Sequence, residues 1–180
     1  MKLLRKYIRE MLTEQAELWD YPIGPDQRIF ISPAPFESFR NVAQPPSVIS
    51  VQKPEGLWYG CGSSWIDFVR TEMNGMIEES GYLYEIVPSS AVLKIRDDDE
   101  FQQFELDFAS PKLDMMEQKT IDWPMVAATY AGIEICPYNP RRRMKSMWYY
   151  GWDVASGCIW DSSGIAGAPI LLTEKEGELV

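Results

Sequence analysis

Apolar positions along the chain recur with two periods, which predict helices alternating with short strands. From Lys2 to Trp19 they recur at steps of three and four, the stripe of an amphipathic helix. Arg28–Ser32 is a short run with alternating apolar residues, and prolines at positions 33 and 35 end it. We therefore predict an N-terminal amphipathic helix within residues 1–20, followed by a first strand at 28–32.

Further strands and helices follow from the same patterns. Strands are predicted at Gly56–Gly60, Tyr82–Val87, Ala91–Ile95 and Gly132–Pro137, with a strand or turn at Gly157–Trp160 and an edge strand at Pro169–Leu172. Helices are predicted after Ser63 or Ser64, after the acidic run Asp97–Glu100 and after Asp122, because these residue types cap first turns. Residues 36–53 are predicted to be a surface loop, and residues 114–119 a solvated linker.

The order of these elements predicts one α+β domain. The chain has 180 residues, the size of a single domain, and it lacks the glycine-rich phosphate loop of a parallel nucleotide-binding sheet. Short, aromatic-rich strands favour a mixed or antiparallel sheet. We predict a domain over residues 21–173 with short helices, and an acidic tail over 174–180.

The cysteine and histidine content excludes several kinds of chemistry. No histidine is present, which excludes Ser-His-Asp, Cys-His and HExxH sites. Cys61, Cys136 and Cys158 are odd in number and widely spaced, which predicts neither a disulfide framework nor a paired zinc motif. This pattern favours a reducing compartment, so we expect a cytoplasmic protein without a bound metal.

Charge and hydropathy limit the class of partner. A formal net charge of -10 disfavours extended nucleic-acid binding, which needs many basic residues, and leaves only local contact near Arg141–Arg143. The longest apolar runs, such as Ala166–Leu172, are far shorter than the roughly 20 residues of a membrane helix. We therefore expect no membrane partner.

Tryptophan, tyrosine and glycine concentrate in three segments, Lys53–Trp65, Ile121–Tyr138 and Trp148–Trp160. Clustered aromatic residues either fill a core or line a pocket, and both interpretations remain open here. Within these segments the strings KPEGLWY, YAGIEI and WYYGWDVASGCIW resemble a family of largely uncharacterised bacterial and phage proteins. The resemblance extends over most of residues 53–161, and residues 1–14 are similar to the start of small proteins of tailed phages.

That family in turn resembles, more distantly, the ADP-ribosyltransferase fold, a split mixed sheet that binds NAD in a cleft. The resemblance implies that NAD is the substrate and that ADP-ribose passes to a host macromolecule or NAD is cleaved, in the host cytoplasm if the protein is phage-encoded. The implied catalytic residues are Glu134 and Arg28, and the implied NAD-binding residues are Trp58, Tyr59, Ser63 and Ser64.

The chemistry of NAD gives these residue types a reason. Breaking the nicotinamide–ribose bond passes through an oxocarbenium-like state, and a carboxylate such as Glu134 stabilises that positive charge by binding a ribose hydroxyl. An aromatic ring can stack on nicotinamide, and the planar guanidinium of Arg28 suits a pyrophosphate or ribose. The sequence departs from the pattern in two places, since Ile31 or Ser32 stands where some members have histidine, and Gly132 replaces a second glutamate.

Other interpretations stay open at this point. Glu134 also fits a strand glutamate that faces solvent or pairs with an arginine, and Asp153 fits either a base or a loop cap. For the whole protein, the alternative is a non-catalytic interaction protein that binds a host partner through its acidic surface or its N-terminal helix.

Overall fold

The computed structural model describes residues 21–45, 53–73, 81–113 and 119–174. The predicted helix within residues 1–20 and all but the first residue of the predicted acidic tail lie outside these ranges. Both therefore stay predictions.

The described residues form a mixed α+β fold with short helices. The strands are β1 (Arg28–Ser32), β2 (Leu57–Cys61), β3 (Tyr82–Glu85), β4 (Val92–Ile95), β5 (Ala109–Leu113), β6 (Lys119–Ile121), β7 (Gly132–Ile135), β8 (Ser156–Ile159) and β9 (Ile170–Glu174). The helices are α1 (Ser64–Glu72), α2 (Asp98–Phe108), α3 (Trp123–Ala127) and α4 (Pro140–Arg143), with 3-10 turns at Met147–Tyr149 and Ser162–Gly164. Every strand and helix that was predicted within these ranges is present, with bounds shifted by a few residues.

Seven strands form one open sheet in the order β4-β7-β8-β2-β1-β3-β9, and β5 and β6 form a separate pair. All neighbours in the large sheet are antiparallel except β4 and β7, which confirms the predicted mixed sheet. The expected split of the sheet is wrong, because β1 and β2 are paired neighbours, with Arg28 opposite Cys61 and Ile29 opposite Gly60. The seven strands thus form one continuous sheet, in which β1 and β2 share only two residue pairs.

The sequence analysis missed three short elements for local reasons. β5 contains Pro111, which lacks a backbone donor and lowers strand propensity, and its partner β6 begins at Lys119, within the predicted linker. α4 has four residues, too few to show a helical period, although Asn139 caps it and Pro140 opens it. A four-residue helix shows no helical period, and the proline in β5 removes the usual sign of a strand.

The larger core lies on the face of the sheet that carries α2 and α3. α2 supplies Phe101, Phe104 and Phe108, whose spacing of three and four residues places them on one helix face, and all three are buried. Trp123, Trp148 and Trp152 are the largest fully buried side chains and pack in the same core. For these residues, the aromatic-rich segments are core material rather than pocket lining.

Helix starts follow the predicted caps in two of three cases. The Asp97 side chain accepts from the backbone N–H of Glu100 at 2.8 Å, and Asp122 accepts from that of Met125 at 3.1 Å. Ser63 precedes α1, but its hydroxyl bonds Asp67 instead of a backbone amide, so the predicted serine cap of α1 is wrong. α1 is held by burial of Ile66 and Val69 in a second core cluster that also contains Ile29 and Leu83.

The opposite face of the sheet is covered near β2 by the loop after β1. Leu57, Tyr59 and Ile159 form a third apolar cluster there, with Phe36 and Phe39 packed against it. Polar side chains continue the same face toward the β1–β2 ladder. Among the described helices, none is long and apolar enough to cross a membrane.

Candidate functional site

A buried glutamate on β7 meets an arginine from β1 and a tyrosine from β2. Arg28 Nε donates to Glu134 Oε2 at 2.7 Å, and Arg28 Nη2 donates to Oε1 at 3.0 Å. The Tyr59 hydroxyl donates to the same Oε2 at 3.0 Å. Positions 28 and 59 lie 106 and 75 residues from Glu134 along the chain, so only strand pairing brings them together. We call these three residues the Glu134 cluster.

Strand register explains why the three side chains share one face. Glu134 on β7 and Tyr59 on β2 both pair with Gly157 on β8, which makes one row across three strands. Arg28 pairs with Cys61, two residues beyond Tyr59. Because residues two apart point to the same face of a sheet, Arg28 lies on the face of Tyr59 and Glu134.

Gly157 is the residue that lets Tyr59 reach Glu134. A Cβ at position 157 would lie 2.8 Å from Tyr59 Cε1 and closer still to Cζ and the hydroxyl oxygen. The tyrosine ring therefore crosses β8 directly over the glycine. Sequence reasoning missed this role, although a glycine inside a strand is a recognised sign of close approach by another group.

The cluster carries fixed charges at neutral pH. Burial by itself raises the pKa of Glu134, but the hydrogen bonds and positive charge of Arg28, with the Tyr59 hydroxyl, outweigh it and hold the pKa below its usual value. Burial and the neighbouring carboxylate raise the pKa of Tyr59 well above its usual value. The cluster is thus a carboxylate, a guanidinium and a neutral phenol.

The guanidinium of Arg28 is also held from its other side. Its Nη1 donates to the backbone carbonyls of Asp26 at 2.8 Å and Gln27 at 3.3 Å. Lys94 pairs with Glu134 across the β4–β7 ladder and adds a second positive charge that lowers the pKa of Glu134. Glu134 is 3% exposed, so this neutralisation takes place out of contact with bulk water.

Two cysteines border the cluster, and they form a disulfide. The structure bonds Cys61 to Cys136, so the prediction that the cysteines form no disulfide is wrong for this pair. The two sulfurs and a carboxylate oxygen of Glu134 all lie within 4.8 Å of one another. A cation at this point would find sulfurs bonded to each other and a carboxylate already paired with Arg28, which makes it a poor metal site.

The remaining NAD-binding residues implied by the resemblance, Trp58, Ser63 and Ser64, do not contact Glu134. Trp58 is on the opposite face of β2 and packs on Trp152, with ring centroids 4.9 Å apart. Ser63 bonds Asp67 at 2.7 Å, and Ser64 donates to the carbonyl of Ala155 at 2.7 Å. Among the implied NAD-binding residues in the described part of the chain, Tyr59 is therefore the one that contacts the carboxylate.

Comparison with known proteins finds no relative of this chain. No family model, curated protein or solved structure matches the chain. The function of the Glu134 cluster is therefore inferred from its geometry and chemistry, together with the sequence resemblance described above.

A second group of charges lies on the other face of the sheet. Asp153 accepts from Arg143 Nη2 at 2.9 Å and lies 4.0 Å from Lys53 Nζ, so it acts as a partner of two cations rather than as a loop cap. Lys53 also lies over the ring of Trp58, 5.1 Å from its centroid. Neither partner of Asp153 was predicted from the sequence, because Lys53 is far away along the chain and Arg143 belongs to the short helix α4, which was not predicted.

Lowering the pH should remove the stabilisation that Glu134 contributes. A carboxyl whose folded pKa is depressed stabilises the fold above its unfolded pKa of roughly 4.3 and loses this contribution as the pH falls through the folded value. We expect the difference in unfolding free energy between wild type and Glu134→Gln to shrink below about pH 4.5. Urea denaturation of both proteins between neutral pH and about pH 3 measures this difference in unfolding free energy.

The exposed glutamate Glu55 provides the matched control for this pH series. The difference between wild type and Glu55→Gln should stay small and nearly constant over the same range. A constant difference for Glu134→Gln as well would contradict the depressed pKa.

Proposed function

We propose that this protein binds NAD and breaks its nicotinamide–ribose bond, as an ADP-ribosyltransferase-like enzyme that passes ADP-ribose to a host macromolecule or to water. The supporting observation is the convergence of Glu134, Arg28 and Tyr59 from three strands. The resemblance assigned these same residues to NAD. The proposal requires these three residues to lie around one carboxylate, and they do so although they are far apart in sequence.

The carboxylate suits the reaction because it is already ionised and held in place. Positive charge develops on the ribose as nicotinamide departs, and a fixed carboxylate that accepts a bond from a ribose hydroxyl stabilises that charge. The Tyr59 hydroxyl and the Arg28 guanidinium set the position of Glu134 before substrate arrives. Such preorganisation removes the cost of orienting the group during the reaction.

Substrate binding in this proposal requires Arg28 to change partners. Its guanidinium occupies both oxygens of Glu134, and planar guanidinium groups bind phosphate oxygens as readily as carboxylates. A pyrophosphate would take up the guanidinium and release one carboxylate oxygen for the ribose. The Arg28 side chain is 19% exposed against 4% for that of Glu134, so the arginine is the side from which the anion approaches.

Nicotinamide release from NAD tests the proposal. Wild type should release nicotinamide over hours, with or without a host extract as acceptor, and Glu134→Gln should lower the rate by roughly a hundredfold or more, the usual effect of losing one transition-state-stabilising group. Glu55→Gln changes an exposed glutamate in the same way and should keep the full rate. Absence of release and of NAD binding with folded wild-type protein would overturn the proposal.

The closed state of the cluster also favours a second function, that of a non-catalytic interaction protein. Glu134 is 3% exposed with both oxygens occupied, and two grooves on the described part of the surface, of about 180 and 620 Å³, are lined by other residues. A net charge of -10 provides an acidic surface for a basic host partner. Under this proposal, an identified partner binds Glu134→Gln as well as wild type, and binding falls with added salt or with deletion of residues 1–20.

A further inference from the structure

Two half-buried cysteines lie on the same sheet face as the Glu134 carboxylate. Cys61 ends β2 two residues after Tyr59, and Cys136 follows β7 two residues after Glu134. Their Cα atoms are 6.6 Å apart, within the range of roughly 4.4–6.8 Å that disulfides span. The disulfide therefore links β2 to β7 across β8, beside the atoms of the proposed NAD chemistry.

The backbone at each cysteine is anchored by a neighbouring strand or loop. The Cys61 amide donates to the carbonyl of Ala155 at 3.0 Å, and the Cys136 amide donates to that of Ile95 at 3.1 Å. These two backbone bonds hold the sulfurs close enough for the disulfide to form again after reduction. The disulfide itself is the covalent link between β2 and β7, so breaking it loosens these two strands.

The third cysteine is placed where it takes no part in this chemistry. Cys158 is fully buried on the other face of β8, and its sulfur contacts the carbonyl of Pro54 at 3.9 Å. Burial also raises the pKa of its thiol, and the thiolate is the reactive form. Thiol–disulfide exchange is therefore confined to Cys61 and Cys136.

We infer that Cys61 and Cys136 form a redox-active centre that controls access to Glu134, an inference that rests on the proposed NAD function. In the disulfide form the two sulfurs lie within 4.8 Å of the carboxylate oxygen and tie its strand to that of Tyr59. The cross-link then resists the separation of β2 from β7 that lets Glu134 exchange Arg28 for a ribose hydroxyl. Reduction removes the tie and opens the cluster.

The reductant is a small or protein dithiol. One of its thiolates attacks a sulfur of the pair, which gives a mixed disulfide and one free cysteine thiolate. The second thiol of the reductant then displaces the other cysteine and closes a new disulfide within the reductant. Two electrons and two protons pass to the protein, which ends with thiols at Cys61 and Cys136.

Hydrogen exchange and nicotinamide release, each measured on the full chain with and without dithiothreitol, test the inference. Reduction should raise amide exchange in peptides covering 57–61 and 132–136 and should raise nicotinamide release, each by roughly tenfold, which lies within the usual range of about 5- to 150-fold for coupled sites. The double variant Cys61→Ser with Cys136→Ser should behave like reduced wild type, with or without the reductant.

Alkylation under denaturing conditions provides the first check, since oxidised protein should show a single reactive thiol, that of Cys158. Three reactive thiols in protein purified without reductant, or equal exchange and release in both redox states, would overturn the inference. Faster exchange on reduction without any nicotinamide release would support the redox centre and overturn the NAD function instead.

Discussion

Replacing Arg28 with methionine should lower the unfolding free energy by roughly 2–4 kcal/mol, because it leaves the Glu134 carboxylate buried without its counter-charge. The Glu134 side chain is 4% exposed, so water cannot replace the two lost hydrogen bonds. Tyr59 alone would remain as a donor among the three cluster residues. Methionine preserves most of the volume of the arginine stem, so the loss reports charge rather than packing. Urea denaturation at neutral pH measures it.

An exposed ion pair in the same protein provides the matched control. Arg96 pairs with Glu100 at 3.2 Å, with side chains 64% and 38% exposed, and exposed pairs contribute about 0–1 kcal/mol. Arg96→Met should therefore change stability much less than Arg28→Met. Combining Arg28→Met with Glu134→Gln should recover part of the loss, because the uncompensated charge is gone. Equal effects at positions 28 and 96 would contradict the buried pair.

Replacing Gly157 with alanine should also destabilise the fold by roughly 2–4 kcal/mol, the sum of overpacking and a displaced buried hydrogen bond. The added methyl would fall inside contact distance of the Tyr59 ring. Tyr59 is 2% exposed and cannot swing into solvent without opening the sheet face. The gain of up to about 1 kcal/mol that alanine brings by restricting the unfolded chain offsets only part of this cost.

Gly24 provides a control that distinguishes this clash from the general effect of replacing glycine with alanine. A Cβ at Gly24 would come no closer than 3.6 Å to Gln27, so Gly24→Ala should leave stability unchanged or raise it by up to about 1 kcal/mol. The destabilisation caused by Gly157→Ala should also be smaller in a Tyr59→Leu background, because leucine lacks the ring atoms that the alanine methyl contacts. If Gly157→Ala costs as much in that background as in wild type, the clash is not its cause.

The structure confirms one of the two interpretations of Glu134, and its role in NAD chemistry stays a prediction. Glu134 pairs with an arginine, which is the ordinary interpretation of a strand glutamate, and that arginine is the residue that the resemblance assigned to NAD. The stability and activity experiments are therefore complementary. Loss of nicotinamide release in Glu134→Gln counts as catalytic only where the variant is folded under the assay conditions.

Local patterns determined much of the framework. The strand at 28–32, the phenylalanine face of α2 and the caps at Asp97 and Asp122 all follow from periodicity and capping chemistry, which act over a few residues. The resemblance implied Glu134, Arg28 and Tyr59 together with Trp58, Ser63 and Ser64, and the structure brings only the first three together. Interactions within a helical turn or a short strand join residues that are close together in sequence. The sequence alone therefore predicts them.

Tertiary structure alone decided how those elements meet. Strand order and register set Gly157 between Tyr59 and Glu134, turn Trp58 to the other face, and bring Cys61 beside Cys136 across 75 residues. A shift of one residue in register would reverse every side chain of a strand, and no local pattern encodes which partner strand it chooses. The sequence thus determined which residues were available for the cluster. Long-range pairing determined that Arg28 closes over Glu134, because that choice depends on packing of the whole sheet.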